Sequence, residues 1–120
     1  MDISRQVIGL AIEVHRQLGP GLLESAYQAC LGQELREAGL PFAQQVALPI
    51  IYKGRTLDCE YRMDFVVEPG LVLEVKSVAT ILPVHEAQLL TYLRLSGHRV
   101  GLLLNFNSPV LKDGIRRRVL

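Results

Sequence analysis

Cysteine is scarce in this chain: the only two, Cys30 and Cys59, have neither a C-x-x-C spacing nor a histidine pair nearby. Neither a zinc site nor a disulfide framework is suggested, and both side chains read as small buried hydrophobes in a reducing cytoplasm. An excess of charge of one sign is also lacking. The formal net charge is +1, so a nucleic-acid partner would have to be held by a local basic patch rather than by the field of the whole molecule. No apolar run approaches the roughly 20 residues needed to span a bilayer. The opening Met1-Asp2-Ile3-Ser4-Arg5 has an early acid, and Glu13, His15 and Arg16 follow, which is unlike a signal peptide. Internal repeats, low-complexity tracts and linkers are absent too. A cytoplasmic protein with no membrane association is the expectation.

The 120 residues, 49% apolar and 21% charged, suit one folded domain over 1–120 with one hydrophobic core. Ile3, Val7, Leu10, Ala11, Val14 and Leu18 recur at helical spacing, and Gly19-Pro20-Gly21 stops that helix. A second helix is predicted from about Leu22 to Ala38, on the stripe Leu23, Tyr27, Leu31 and Leu35, with Gly39 and Pro41 as its stop.

From Phe42 the period changes to two. Val46, Leu48, Ile50 and Tyr52 alternate with their neighbours, with Pro49 marking an edge strand or bulge and Lys53-Gly54 a turn. The next run has Leu57, Cys59, Tyr61, Met63 and Phe65 on a core side and Asp58, Glu60, Arg62, Asp64 and Val66 on the other. Glu68-Pro69-Gly70 is a turn, and Leu71 to Val78 is a third strand that makes a hairpin with the second.

Pro83 suits the first turn of a helix that closes at Gly97, and Val100 to Leu104 reads as a strand covered on both faces. Ile115 to Leu120 would add a C-terminal edge strand. The predicted order is therefore α-α-β-β-β-α-β with that extra strand, an α/β fold in which a mixed sheet is flanked by helices. The helix after the third strand leaves room for a crossover between parallel strands.

If the hairpin turns about Pro69, Asp64 and Glu74 lie five residues to either side and face one another, and alternation puts Glu74 and Lys76 on one face. Like charges placed opposite each other are unfavourable unless something positive lies between them: Lys76, or a divalent cation with oxygen ligands. Mg²⁺ fits, with Mn²⁺ as a substitute, because it takes one or two carboxylates, keeps several waters and binds a phosphate oxygen. Asp64 and Glu74 would then anchor the metal, the carbonyl of Val75 would add a ligand, and Lys76 would orient a water or neutralise charge on the reacting phosphate. A salt-bridged solvent face formed by Arg62, Asp64, Glu74 and Lys76 fits the same pattern, and periodicity does not separate the two.

An Asp on one strand followed by Glu-x-Lys on its hairpin partner resembles the PD-(D/E)XK nuclease superfamily. Gly21-Leu22-Leu23-Glu24-Ser25-Ala26-Tyr27 resembles the motif that names its GxxExxY family. The segment Pro83 to Leu93, with Gln88 and Tyr92 four residues apart, resembles that family's helix. Met63 stands where the superfamily name has Pro.

The resemblance implies a restriction-endonuclease-like fold and a nuclease acting on DNA or RNA. Its site would comprise Asp64, Glu74, Lys76, Glu24 and Gln88, with Tyr92 lining it. By itself, Glu24 reads as an acid favoured by the helix dipole, and Tyr92 as a half-buried core aromatic. His85 is a secondary candidate for proton transfer or phosphate contact, although a lone histidine near a helix start is more often structural. Lys53, Arg55 and Arg116-Arg117-Arg118 are candidate phosphate contacts that read equally as solvated charge. A chain of this size has little surface for duplex recognition, so a homodimer with paired sites is expected. The other function class consistent with these features is an interaction module that keeps the acidic pocket and does little catalysis.

Overall fold

The computed structural model describes residues 2–120. Helix α1 (Ser4–Leu18) and helix α2 (Glu24–Glu37) form where the apolar stripes predict them. The connection between them is tied down by Tyr27, whose hydroxyl donates to the carbonyl of Gly19 at 2.6 Å and accepts the N–H of Leu22 at 3.1 Å. Gly21 has φ of 102° there, a left-handed conformation that favours glycine.

Seven strands follow in chain order: β1 (Phe42–Ala47), β2 (Ile50–Tyr52), β3 (Arg55–Leu57), β4 (Arg62–Val67), β5 (Leu71–Lys76), β6 (Val100–Asn105) and β7 (Ile115–Val119). Helix α3 (Pro83–Ser96) joins β5 to β6, and a 3₁₀ turn (Leu111–Gly114) leads into β7. The main sheet has the order β1-β4-β5-β6-β7, with β5 and β6 parallel and the other neighbours antiparallel.

Both faces of the sheet are covered. One carries α1 and α2, whose Val7, Ala11, Tyr27 and Leu31 pack on Phe65, Leu73, Leu102 and Phe106. The other carries α3, whose Leu89, Tyr92 and Leu93 pack with Val72 and Leu103. Burying both faces explains the apolar run of β6, and Gly101 lets α3 approach, since a Cβ there would lie 2.7 Å from Leu89 Cδ1. This is the expected α/β architecture, a mixed sheet between helices compatible with the restriction-endonuclease-like fold.

Several details differ from the sequence expectation. The strand expected to continue past Pro49 is divided into β1 and β2, because Pro49 has no N–H to donate and Leu48 N–H turns to the carbonyl of Tyr61 at 2.9 Å. The run expected from Leu57 to Val66 is also divided: Glu60 adopts φ of 62°, and Leu57, Cys59 and Tyr61 are exposed rather than facing the core. Strands β2 and β3 therefore form a separate hairpin closed by Lys53-Gly54, both with positive φ as a tight hairpin turn demands. Cys30 is half-buried and packs against the core, whereas Cys59 is exposed and is not the buried hydrophobe expected.

Strand β5 stops at Lys76, two residues short of Val78, because Val78 bonds the side chain of Asn105. Its N–H donates to Asn105 Oδ1 at 3.0 Å, and its carbonyl accepts from Nδ2 at 2.9 Å. The C-terminal edge strand is formed as β7. Its arginines are engaged within the molecule: Arg116 donates to the carbonyls of Asp113 and Ile115, Arg117 pairs with Asp2, and Arg118 pairs with Glu86. No helix among the described residues is long and apolar enough to cross a membrane.

Candidate functional site

The hairpin of β4 and β5 pairs Phe65 with Leu73, Val66 with Val72 and Val67 with Leu71. Extending that register by one residue sets Asp64 opposite Glu74. At this point side chains replace the regular ladder. Val75 N–H donates to Asp64 Oδ2 at 2.8 Å, and Asp64 N–H donates to Glu74 Oε1 at 3.3 Å. Each carboxylate thus braces the opposite strand through one oxygen. Among the described residues no N–H donates to Asp64 Oδ1 or Glu74 Oε2, and the two carboxyl groups lie within hydrogen-bonding reach of each other.

The pair is electrostatically unfavourable as it stands. Glu74 is only 5% exposed; burial first, and then the charge of Asp64, pushes its carboxyl up to about 8. Burial also raises the Asp64 carboxyl, against the lowering effect of the Val75 N–H. Lys76 opposes the rise at both groups. A proton on Glu74 relieves this repulsion when nothing else does, and a dication bound between the carboxylates would displace that proton and take over its role.

Glu24 is the first residue of α2 and approaches from the other side of the sheet end. Its Oε2 accepts the N–H of Ser77 at 3.4 Å, and its charge is felt by Asp64. Ser77 in turn donates through Oγ to the carbonyl of Leu22 at 2.6 Å, which fastens the loop before α2 to the end of β5. On α3, Gln88 Nε2 donates to the hydroxyl of Tyr92 at 2.9 Å. Tyr92 is buried beside the carboxylates, and burial and the charge of Glu74 raise its phenol.

The structure therefore brings Asp64, Glu74, Val75, Lys76 and Glu24 to one sheet end, with Tyr92 behind them and Gln88 joined through Tyr92. His85 takes a local role: its Nδ1 accepts the N–H of Leu82 at 3.0 Å and caps α3. Asn105 was not singled out by the sequence, yet it is paired in register with Lys76, is buried, and holds the chain just beyond it. A buried polar residue at the end of an otherwise apolar strand was the one signal for it.

The available donors are carboxylate oxygens and backbone, a set suited to a hard dication rather than to zinc. Among the described residues no three His, Cys, Asp or Glu side chains are grouped to hold a metal. A cation here would have two protein carboxylates, with backbone carbonyl, water or substrate oxygen completing its shell, the pattern expected for Mg²⁺. Asp64 and Glu74 fit such an ion, each with an oxygen to spare.

A family model described as the PD-(D/E)XK nuclease superfamily matches residues 1–118. No curated protein and no solved structure matches the chain.

Proposed function

We propose that this chain, which belongs to the PD-(D/E)XK nuclease superfamily, is a divalent-metal-dependent nuclease that hydrolyses phosphodiester bonds of DNA or RNA. The observation that carries this reading is the crossed bracing of Asp64 and Glu74, which holds two carboxylates together while leaving one oxygen of each to a cation. Asp64 and Glu74 would hold Mg²⁺, or Mn²⁺ in its place, and the carbonyl of Val75 would add a ligand. The bound ion would supply positive charge to a phosphate oxygen and acidify a water.

The chain's own residues do the rest. Lys76, next but one to Glu74 on β5, holds the attacking water or neutralises the charge that grows on phosphate as the water oxygen bonds to phosphorus. As the new P–O bond forms and the old one breaks, the attacking water gives its proton to solvent and the leaving oxygen takes one from a solvent water. Glu24 would add negative charge at the end of β5, and Gln88 keeps the Tyr92 hydroxyl oriented near Glu74.

We place the chain in the GxxExxY branch. Gly21 makes the left-handed turn, Tyr27 ties that turn down, and Glu24 between them is aimed at the end of β5. One observation favours a weaker reading, an interaction module with little catalysis: among the described residues no third carboxylate joins Asp64 and Glu74 in a group that could hold an ion.

Labelled single- and double-stranded DNA and RNA, incubated with the protein and Mg²⁺ or Mn²⁺ beside Lys76→Ala, separates the two. Metal-dependent cleavage lost in Lys76→Ala supports the nuclease. No cleavage of any substrate, or equal cleavage by the variant, refutes it.

A further inference from the structure

A groove of about 410 Å³ lies between α3 and the chain around Ile50 and Tyr61, and it reaches the candidate site through Tyr92, whose phenol feels the charge of Glu74 and Asp64. Val84 and Leu95 give it apolar walls, Thr91 and Gln88 give it hydrogen-bonding groups, and Tyr92 closes the end nearest Glu74. Mostly apolar concavity with a few placed polar groups is the profile of a ligand site. Tyr61 is 45% exposed and meets Tyr92 edge to face, with centroids 6.2 Å apart, so Tyr61 leaves ring surface open to the groove.

Charge narrows the choice of occupant. The hairpin β2–β3, whose first residue Ile50 forms part of the wall, pairs only with itself and is exposed nearly throughout. Residues 50–57 include Lys53 and Arg55 and no acid, and Lys53 Nζ lies 5.4 Å from the Tyr52 ring centroid. Asp58, the next residue, is paired with Arg62 at 3.6 Å. The exposed Tyr61 ring lies in the groove, and Lys53 and Arg55 stand on the exposed hairpin that begins at its wall residue Ile50. Among the described residues they outnumber the one unpaired acid nearby, Glu60. A ring to stack on with cations farther along suits a polyanion carrying flat, hydrogen-bonding rings. An apolar peptide would leave Lys53 and Arg55 unmatched. In a duplex the base faces are covered by stacking, so only an unpaired base can present a face to Tyr61.

We infer that this groove receives an unpaired nucleobase adjacent to the phosphate held at Asp64 and Glu74, which makes single-stranded or locally unpaired nucleic acid the preferred substrate class. The inference rests on the nuclease reading of the same site and adds to it the form of the substrate.

Binding of fluorescent oligonucleotides to the full chain, followed by anisotropy in EDTA so that nothing is cut, tests it. The probes are one sequence as single-stranded DNA, as single-stranded RNA and as duplex, together with a single strand whose bases are replaced by abasic sites. The expected result is that at least one single strand binds about tenfold or more tightly than the duplex and that the abasic strand loses about tenfold. Tyr61→Ala should lose a similar factor, whereas Tyr61→Phe, which keeps the ring, should bind as wild type. Equal binding of abasic and natural strands, equal binding of duplex and single strand, or an unaffected Tyr61→Ala overturns the inference. Cleavage with Mg²⁺ that ignores base removal would remove the groove and leave the nuclease. Base-dependent binding without cleavage would do the reverse.

Discussion

Val75 N–H is held by Asp64 Oδ2 at 2.8 Å, a bond that replaces the backbone ladder where the two hairpin strands meet the candidate metal site. Asp64 therefore has two jobs that substitution can separate. Asp64→Asn keeps an oxygen for the Val75 amide and loses the charge, so the fold should persist while cleavage falls by about 100-fold or more. Asp64→Ala removes the acceptor as well and should cost a further 1–3 kcal/mol or so of stability by leaving the amide unpaired. Cleavage rates and urea unfolding of both variants check this.

Because Glu74 is buried against another carboxylate, a bound dication should stabilise the folded chain. At a Mg²⁺ concentration about 100 times its dissociation constant the gain is roughly 2.7 kcal/mol, which raises Tm by several degrees in a chain of this size. Glu74→Gln should lack most of that rise. Thermal melts with and without Mg²⁺, at matched ionic strength, make the comparison; equal shifts in both proteins would mean that the ion binds elsewhere.

The register behind this site was legible in the sequence because the turn at Pro69 fixes the sum of paired residue numbers, which the observed pairs Phe65–Leu73 and Val67–Leu71 share. The helices were legible because glycine and proline mark their ends. Other features depend on contacts made far along the chain. Pro49 marks an edge or bulge in the sequence itself, but alternation runs through 58–61 without a visible break, although Glu60 turns left-handed and frees β2–β3 as a hairpin. The arginine run looked available for phosphate, yet Arg117 is committed to Asp2, 115 residues away. Asn105 bonds Val78 at a separation of 27 residues, and the groove exists only once α3 lies beside Tyr61.

Tyr27 makes its own prediction. Its ring stacks on Phe106 with centroids 4.7 Å apart, and its hydroxyl bonds Gly19 and Leu22. Tyr27→Phe keeps the stack and abandons both backbone groups, so about 1–3 kcal/mol of stability should be lost with an unchanged urea m-value. The loop that presents Glu24 loosens with it. Cleavage should fall more than in Ser25→Ala, which alters an exposed neighbour.

At the start of α1, hydrogen bonds from Ser4, reinforced by Arg117, hold the Asp2 carboxyl down at about 2, against an ordinary 3.8. A lowered folded-state value means that the contribution is complete above about pH 4 and is lost as the pH falls through about 2. Asp2 is well exposed, so the effect is small and weakens with salt. The Tm difference between wild type and Asp2→Asn should accordingly shrink between pH 4 and pH 2; a difference that stays constant would contradict it.

The claim that Asp64 and Glu74 jointly hold a catalytic cation is tested most directly by soaking crystals of the chain in Mn²⁺ and locating the metal from its anomalous signal. A peak within coordination distance of Asp64 Oδ1 and Glu74 Oε2, absent from Asp64→Asn crystals, is the predicted result. No peak at this position, or one that persists in the variant, would contradict the account.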